Sequence, residues 1–187
     1  MNAIHELPGT HSGGGLPQLI DVIPFLHHQK LRQKLASLYR VIQRIAANHV
    51  VPIDVMDRFE RRFLCMADHV ESNLEEQECW LFAWLRRLVK RLPATGRENY
   101  LGESLQEAIE KTTAANLEIL EALNQIQMCL GIPEWTNKGV LVEELIDCLG
   151  DFEEEMIEYE HLEREELFPR VREFCLPCAK EEGVRPC

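Results

Sequence analysis

Tyr159-Glu160-His161-Leu162-Glu163-Arg164-Glu165-Glu166-Leu167-Phe168-Pro169 decides how the chain is read. Tyr159, Glu163 and Leu167 are spaced by four, so on an α-helix they share one face, and they prolong an apolar stripe made of Val142, Leu145, Leu149, Phe152 and Met156. A carboxylate therefore stands in line with core residues. Upstream, Asn73-Leu74-Glu75-Glu76-Gln77-Glu78-Cys79-Trp80-Leu81-Phe82 repeats the pattern with the same spacing to Leu-Phe, and amides occupy the places of Tyr159 and Glu163.

Working outward, each of these segments belongs to a long helical pattern. The fourth predicted helix runs from about Asn137 to Phe174. The second runs from Pro52 to about Leu92, with the stripe Met56, Phe59, Phe63, Met66, Val70, Asn73, Gln77, Trp80, Trp84 and Leu88. The first, led in by Pro17 and with Pro24 in its opening turn, ends near Asn48 and carries His28, Leu31, Leu35, Leu38, Ile42, Ile45 and His49. After a turn at Pro93-Ala94-Thr95-Gly96, Ser104 and Glu107 are spaced like a capping box. They open a third helix with the stripe Leu105, Ile109, Thr112, Asn116, Ile119, Leu123, Ile126 and Leu130, which Gly131-Ile132-Pro133 ends. Nothing alternates with period two, so no sheet is expected. Four long helices with short connections predict an all-α, up-down-up-down antiparallel four-helix bundle over residues 18–174, between a flexible arm at 1–17 and a cysteine-containing tail at 175–187.

Counting from the turns sets a level for each polar interruption. His28 and Asn73 lie almost equally far from a turn near residue 51, and a turn near 96 sets Asn73 and Gln77 opposite Thr112 and Asn116. A turn near 134 carries that level to roughly 152–156, about one helical turn short of Tyr159, a gap that uneven connections would supply. His28, Asn73, Gln77, Thr112, Asn116, Tyr159 and Glu163 thus gather into one polar layer inside an apolar bundle. His49 is left out: on a continuous helix it is about 31 Å from His28. His69 and His161 fall beside their stripes and are read as surface or boundary residues.

The two quoted segments resemble the paired His-x-x-x-Glu-x-x-x-Leu-Phe-Pro motifs of hemerythrin-like domains, particularly the iron-sulfur cluster repair di-iron proteins, and the resemblance spans about residues 25–174. In that family the His and Glu of each motif bind iron. Carried over position by position, His28 matches the first-helix His and Glu163 the last bridging carboxylate. Tyr159 replaces one His, Asn73 and Gln77 replace a His and a Glu, and Thr112 or Thr113 replaces the third-helix His. The resemblance therefore implies the frame of a di-iron bundle with most ligands replaced. Three readings of the layer follow: a hydrogen-bonded network with no cofactor, a mononuclear iron or zinc site on His28, Tyr159 and Glu163 with Gln77 or water, and an atypical di-iron site.

The remaining features narrow the function classes. The chain has 187 residues, 45% of them hydrophobic, enough for one well-buried domain. A net charge of -12 makes nucleic acid and anionic membranes poor partners and leaves a protein partner, of unspecified identity, open. No export signal or long apolar run occurs, so a cytoplasmic protein is expected, with its seven cysteines reduced. Cys175-Leu176-Pro177-Cys178 with Cys187 reads as a zinc or redox pair or as adventitious surface thiols. Cys65, Cys79, Cys129 and Cys148 read as small core or boundary residues, and Glu153, Glu154, Glu155, Glu158, Glu160, Glu165 and Glu166 as a solvated face. Trp80, Phe82 and Trp84 are bundle packing or the wall of a ligand pocket beside the layer. With no nucleophilic triad, phosphate loop or dinucleotide fingerprint, the expectation is a non-catalytic binding, sensory or regulatory module. A non-haem iron protein that handles oxygen, nitric oxide or iron, or an iron-sulfur repair protein, is the alternative.

Overall fold

The structure is a computed structural model that describes residues 15–91, 103–135 and 139–175. Most of the expected N-terminal arm, the turn at residues 93–96, the Ser104 side chain of the expected capping box, and Cys178 and Cys187 lie outside the described residues. Among those described there is no strand, and no helix is long and apolar enough to cross a membrane.

Four helical rods form the molecule. The first comprises α1 (Leu16–Val22), a π-helical turn π1 (Ile23–His28) and α2 (Gln29–Ala47). The second comprises α3 (Ile53–Glu76), π2 (Gln77–Phe82) and α4 (Ala83–Arg91). The third is the uninterrupted α5 (Glu103–Leu130), and the fourth comprises α6 (Val140–His161), π3 (Leu162–Leu167) and α7 (Phe168–Cys175). The first rod therefore begins at Leu16, with Pro17 in its opening turn, and Pro24 lies inside it. Proline is tolerated there because the wider π turn already departs from the α ladder that its ring and missing N–H would disrupt.

Cross-rod pairs give the directions. Asp21 meets Arg86, Arg32 meets Glu71 and Gln43 meets Glu60, so numbers rise on the first rod as they fall on the second. Arg62 with Cys129 and Asn73 with Asn116 make the second and third antiparallel; Gln127 with Glu153 and Asn116 with Glu163 do the same for the third and fourth. Arg44 with Glu144 and Lys30 with Glu155 pair the fourth with the first. These pairings are compatible with the expected bundle. The third and fourth rods pair about a point near residue 140 rather than 134, which removes the one-turn shortfall at Tyr159.

The core is built from the expected stripes, including Leu31, Leu38, Ile42, Phe59, Phe63, Leu123 and Phe152, and gains Trp135, which no stripe contained and which packs on Phe59 at 4.8 Å between rings. Each such side chain contributes roughly 1.5–3 kcal/mol by leaving water. Downstream of Gln77 the face differs from the expectation. Leu81, Phe82 and Leu85 are buried, whereas Trp80 is 45% exposed and Trp84 only partly covered. The extra residue in π2 advances the inward face by one position. Cys65 and Cys79 are exposed rather than at the core, while Cys129 and Cys148 lie at its boundary. Cys175, expected among the tail thiols, closes α7 and is buried. Glu155 and Glu160 leave the expected solvated face: both are buried, Glu155 against His27 and Lys30, Glu160 against Arg164.

Candidate functional site

Three π turns border one level of the molecule, and each supplies part of its polar interior. π1 ends on His27 and His28, π2 begins with Gln77 and Glu78, and π3 carries Glu163. Such turns are rare and occur disproportionately at functional sites, because they re-aim side chains that a regular helix would hold elsewhere. The third rod, which has no π turn, contributes Thr112 and Asn116.

The expected layer is assembled and buried: His28, Asn73, Gln77, Thr112, Asn116, Tyr159 and Glu163 are each at most 8% exposed. Most are joined in one chain of hydrogen bonds. Asn116 donates from Nδ2 to Glu163 Oε2 at 2.8 Å, and Asn73 donates from Nδ2 to Asn116 Oδ1 at 2.8 Å. Gln77 donates from Nε2 to Asn73 Oδ1 at 3.3 Å, and the Tyr159 hydroxyl donates to Gln77 Oε1 at 2.5 Å. His28 stands edge-on to Tyr159 with ring centres 5.3 Å apart, and its Nδ1 is 2.8 Å from Glu78 Oε1. Thr112 borders the layer without a bond in this chain.

Electrostatics make this interior neutral. Burial pushes the Glu163 carboxyl up from 4.5 to about 8, outweighing the opposing effects of the Asn116 hydrogen bond and of the nearby Tyr159 hydroxyl. Burial also raises Tyr159 well above its ordinary value. His28 falls from 6.5 to about 4, because desolvation of the imidazolium outweighs the nearby Glu78. Burial acts upward on Glu78 too, but hydrogen bonds from Arg32 and His28 prevail and hold it below the usual carboxylate range. An ionised Glu78 accepts only, so His28 carries its proton on Nδ1 and turns the lone pair of Nε2 inward. His28 Nε2 and Glu163 Oε1 are both buried without a hydrogen-bond partner.

The donor set decides what metal chemistry the layer suits. Two iron ions need several imidazoles and bridging carboxylates, whereas the layer offers one imidazole, His28, and one carboxyl, Glu163, with amides where the resemblance requires charged ligands; the neighbouring buried imidazole, His27, is already paired with Glu155. The residues do not fit a dinuclear centre. A single ion is a different matter, since the unpartnered His28 Nε2 and Glu163 Oε1, with the Tyr159 hydroxyl, provide hard or borderline donors. Glu78 behind His28 is the arrangement that orients a metal-binding imidazole.

Several participants were not legible in sequence. Glu78 and Arg32 hold His28 from outside the layer. His27, Glu155 and Glu158 bring ligand atoms within 4.8 Å of one another, although His27 and Lys30 already pair with Glu155. His49, His69 and His161 are exposed and none is part of the hydrogen-bonded layer, although His69 lines the cavity that borders it. A cavity of about 440 Å³ lies against the other side of Asn73, Gln77 and Thr112, with Trp80 on its wall. Compared with known protein families, with curated proteins and with solved structures, the chain finds no match.

Proposed function

We propose that this chain is an up-down-up-down, hemerythrin-like four-helix bundle with a degenerate metal site, acting as a non-catalytic binding, sensory or regulatory module. The observation that carries the reading is the hydrogen-bond chain Glu163–Asn116–Asn73–Gln77–Tyr159. The groups that would have to ligate two irons are neutral, and most of their capacity is spent on one another. A protonated Glu163 and a neutral His28 suit a dry core and oppose the accumulation of four or more positive charges there.

A mononuclear site is the second reading, and the two unpartnered atoms favour it. His28, Tyr159 and Glu163 would hold the ion, which would supply Lewis-acid or one-electron chemistry when bound. Elemental analysis with an optical spectrum, on protein expressed with ample iron and purified under reducing conditions, separates the readings. The proposal expects fewer than two irons per chain. No metal supports the hydrogen-bonded module, and one ferric ion with a tyrosinate charge-transfer band supports the mononuclear form. Two irons per chain would overturn both.

A further inference from the structure

We propose that the cavity between α3–π2 and α5 is a binding site for a small organic cation with a flat apolar body, such as an aromatic ammonium compound. The inference rests on the reading of the chain as a binding module and names the ligand class that module would take. The cavity, about 440 Å³, is within the range of small-molecule sites. Its apolar surface comes from Leu81, Ile119, Ala108 and Ala115, which matches a flat hydrocarbon body.

Trp80 provides the second element of recognition. The stripe predicts it inside the core, but π2 turns it onto the cavity wall with 45% of its surface exposed. An indole face in such a place attracts a cation electrostatically, and more strongly when the cation is partly desolvated. The charge around it selects the same sign. Glu107 and Glu118 have no ion-pair partner among the described residues, while of the two basic side chains on the wall, His69 and Lys111, the lysine is tied to Glu76. Carboxylate and phosphate ligands are disfavoured by this rim, and cations are drawn to it. The inner wall adds directional contacts. Thr112 makes no side-chain hydrogen bond among the described residues, and the Asn73 and Gln77 amides each keep a second N–H beyond the one used in the layer.

The test is isothermal titration of the full chain with benzyltrimethylammonium, with phenylacetate as an anionic counterpart of similar shape. Saturable binding of the cation with a Kd of about 1 mM or tighter is expected, and phenylacetate should bind at least about tenfold more weakly. Trp80→Ala should weaken the cation about tenfold, Glu107→Gln with Glu118→Gln about threefold to tenfold, and Trp84→Phe should leave it unchanged. Circular dichroism on each variant confirms that the half-exposed Trp80 is not needed for folding. Absence of saturable binding, equal binding of phenylacetate, or indifference to Trp80→Ala in a folded variant would overturn the proposal. Metal analysis of the same samples keeps the two readings apart. Two irons per chain sinks the module reading whatever the calorimetry shows, whereas lost cation binding in metal-free, folded protein sinks this inference alone.

Discussion

Glu163 and His28 are residues that water would hold near their ordinary ionisation ranges, and burial drives them in opposite directions. The signs matter for stability. His28 binds its proton less readily folded, at about 4 against 6.5 unfolded, so its contribution rises as pH climbs from 4 to 6.5. Glu163 binds its proton more readily folded, at about 8 against 4.5, so its contribution falls as pH climbs from 4.5 to 8. Between 4.5 and 6.5 the two slopes cancel, and from 6.5 to 8 only the loss from Glu163 remains. Denaturant unfolding should therefore show wild-type protein losing about 2 kcal/mol more than Glu163→Gln over that upper window. Identical pH profiles would contradict a buried neutral Glu163. Asn116 is the hinge of the network, donating to Glu163 and accepting from Asn73. Asn116→Ala strands both partners and should destabilise by about 2–4 kcal/mol in the same measurement; a change below about 0.5 kcal/mol would mean the network is not formed in solution.

At the scale of elements, the π turns explain both what was legible and what was not. Regular stretches alternate steps of four and three, as in Leu31, Leu35, Leu38, Ile42 and Ile45, or Leu105, Ile109, Thr112, Asn116 and Ile119. Where a π turn intervenes, the steps are fours in succession: Ile23, His27, Leu31 and Leu35; Gln77, Leu81 and Leu85; Tyr159, Glu163, Leu167, Val171 and Cys175. A straight α-helix would drift off the core over such a run, and one extra residue in the turn cancels the drift. That run of fours was present in the sequence, but reading every helix at 3.6 residues per turn placed Trp80 and Trp84 on the seam and missed Glu78. It follows that deleting Cys79, exposed within π2, should let the turn close to α geometry while both flanks keep their faces. Thermal melting should remain cooperative and shift by less than about 10 °C. Deleting Cys65 within α3 rotates one flank by about 100° and should abolish the cooperative transition. The opposite pattern would contradict the π assignment. His49 supplies a second element-scale prediction. With φ of 51°, it occupies the left-handed position that closes α2, where the N–H of His49 bonds Ala46 and that of Val50 bonds Ile45. His49→Gly should raise stability by about 1 kcal/mol in denaturant unfolding, and a loss would contradict that cap.

Across the whole molecule, the seams and the layer could be read because amphipathic periodicity and turn spacing are written locally, whereas the layer's outer supports could not. Arg32 reaches Glu78, and His27 reaches Glu155 from another rod, through side-chain geometry that no spacing encodes. The fourth rod's register was likewise hidden, because the third and fourth rods pair about a point near residue 140 and not about the turn that Gly131-Ile132-Pro133 signals. The resulting picture is an all-helical molecule with an apolar core crossed by one polar level, an acidic-rimmed cavity against one side of it, and a formal charge of -12 on the chain. This polar level is neutral and satisfies itself mainly through its own hydrogen bonds. Carbon-13 NMR titration of the Glu163 side-chain carboxyl in metal-free protein, assigned with Glu163→Gln, tests it most directly. A midpoint near 8 is the predicted result; a midpoint at or below about 4.5, the ordinary carboxyl range, would mean that Glu163 is ionised in the core beside an unrecognised positive partner, and would contradict the account.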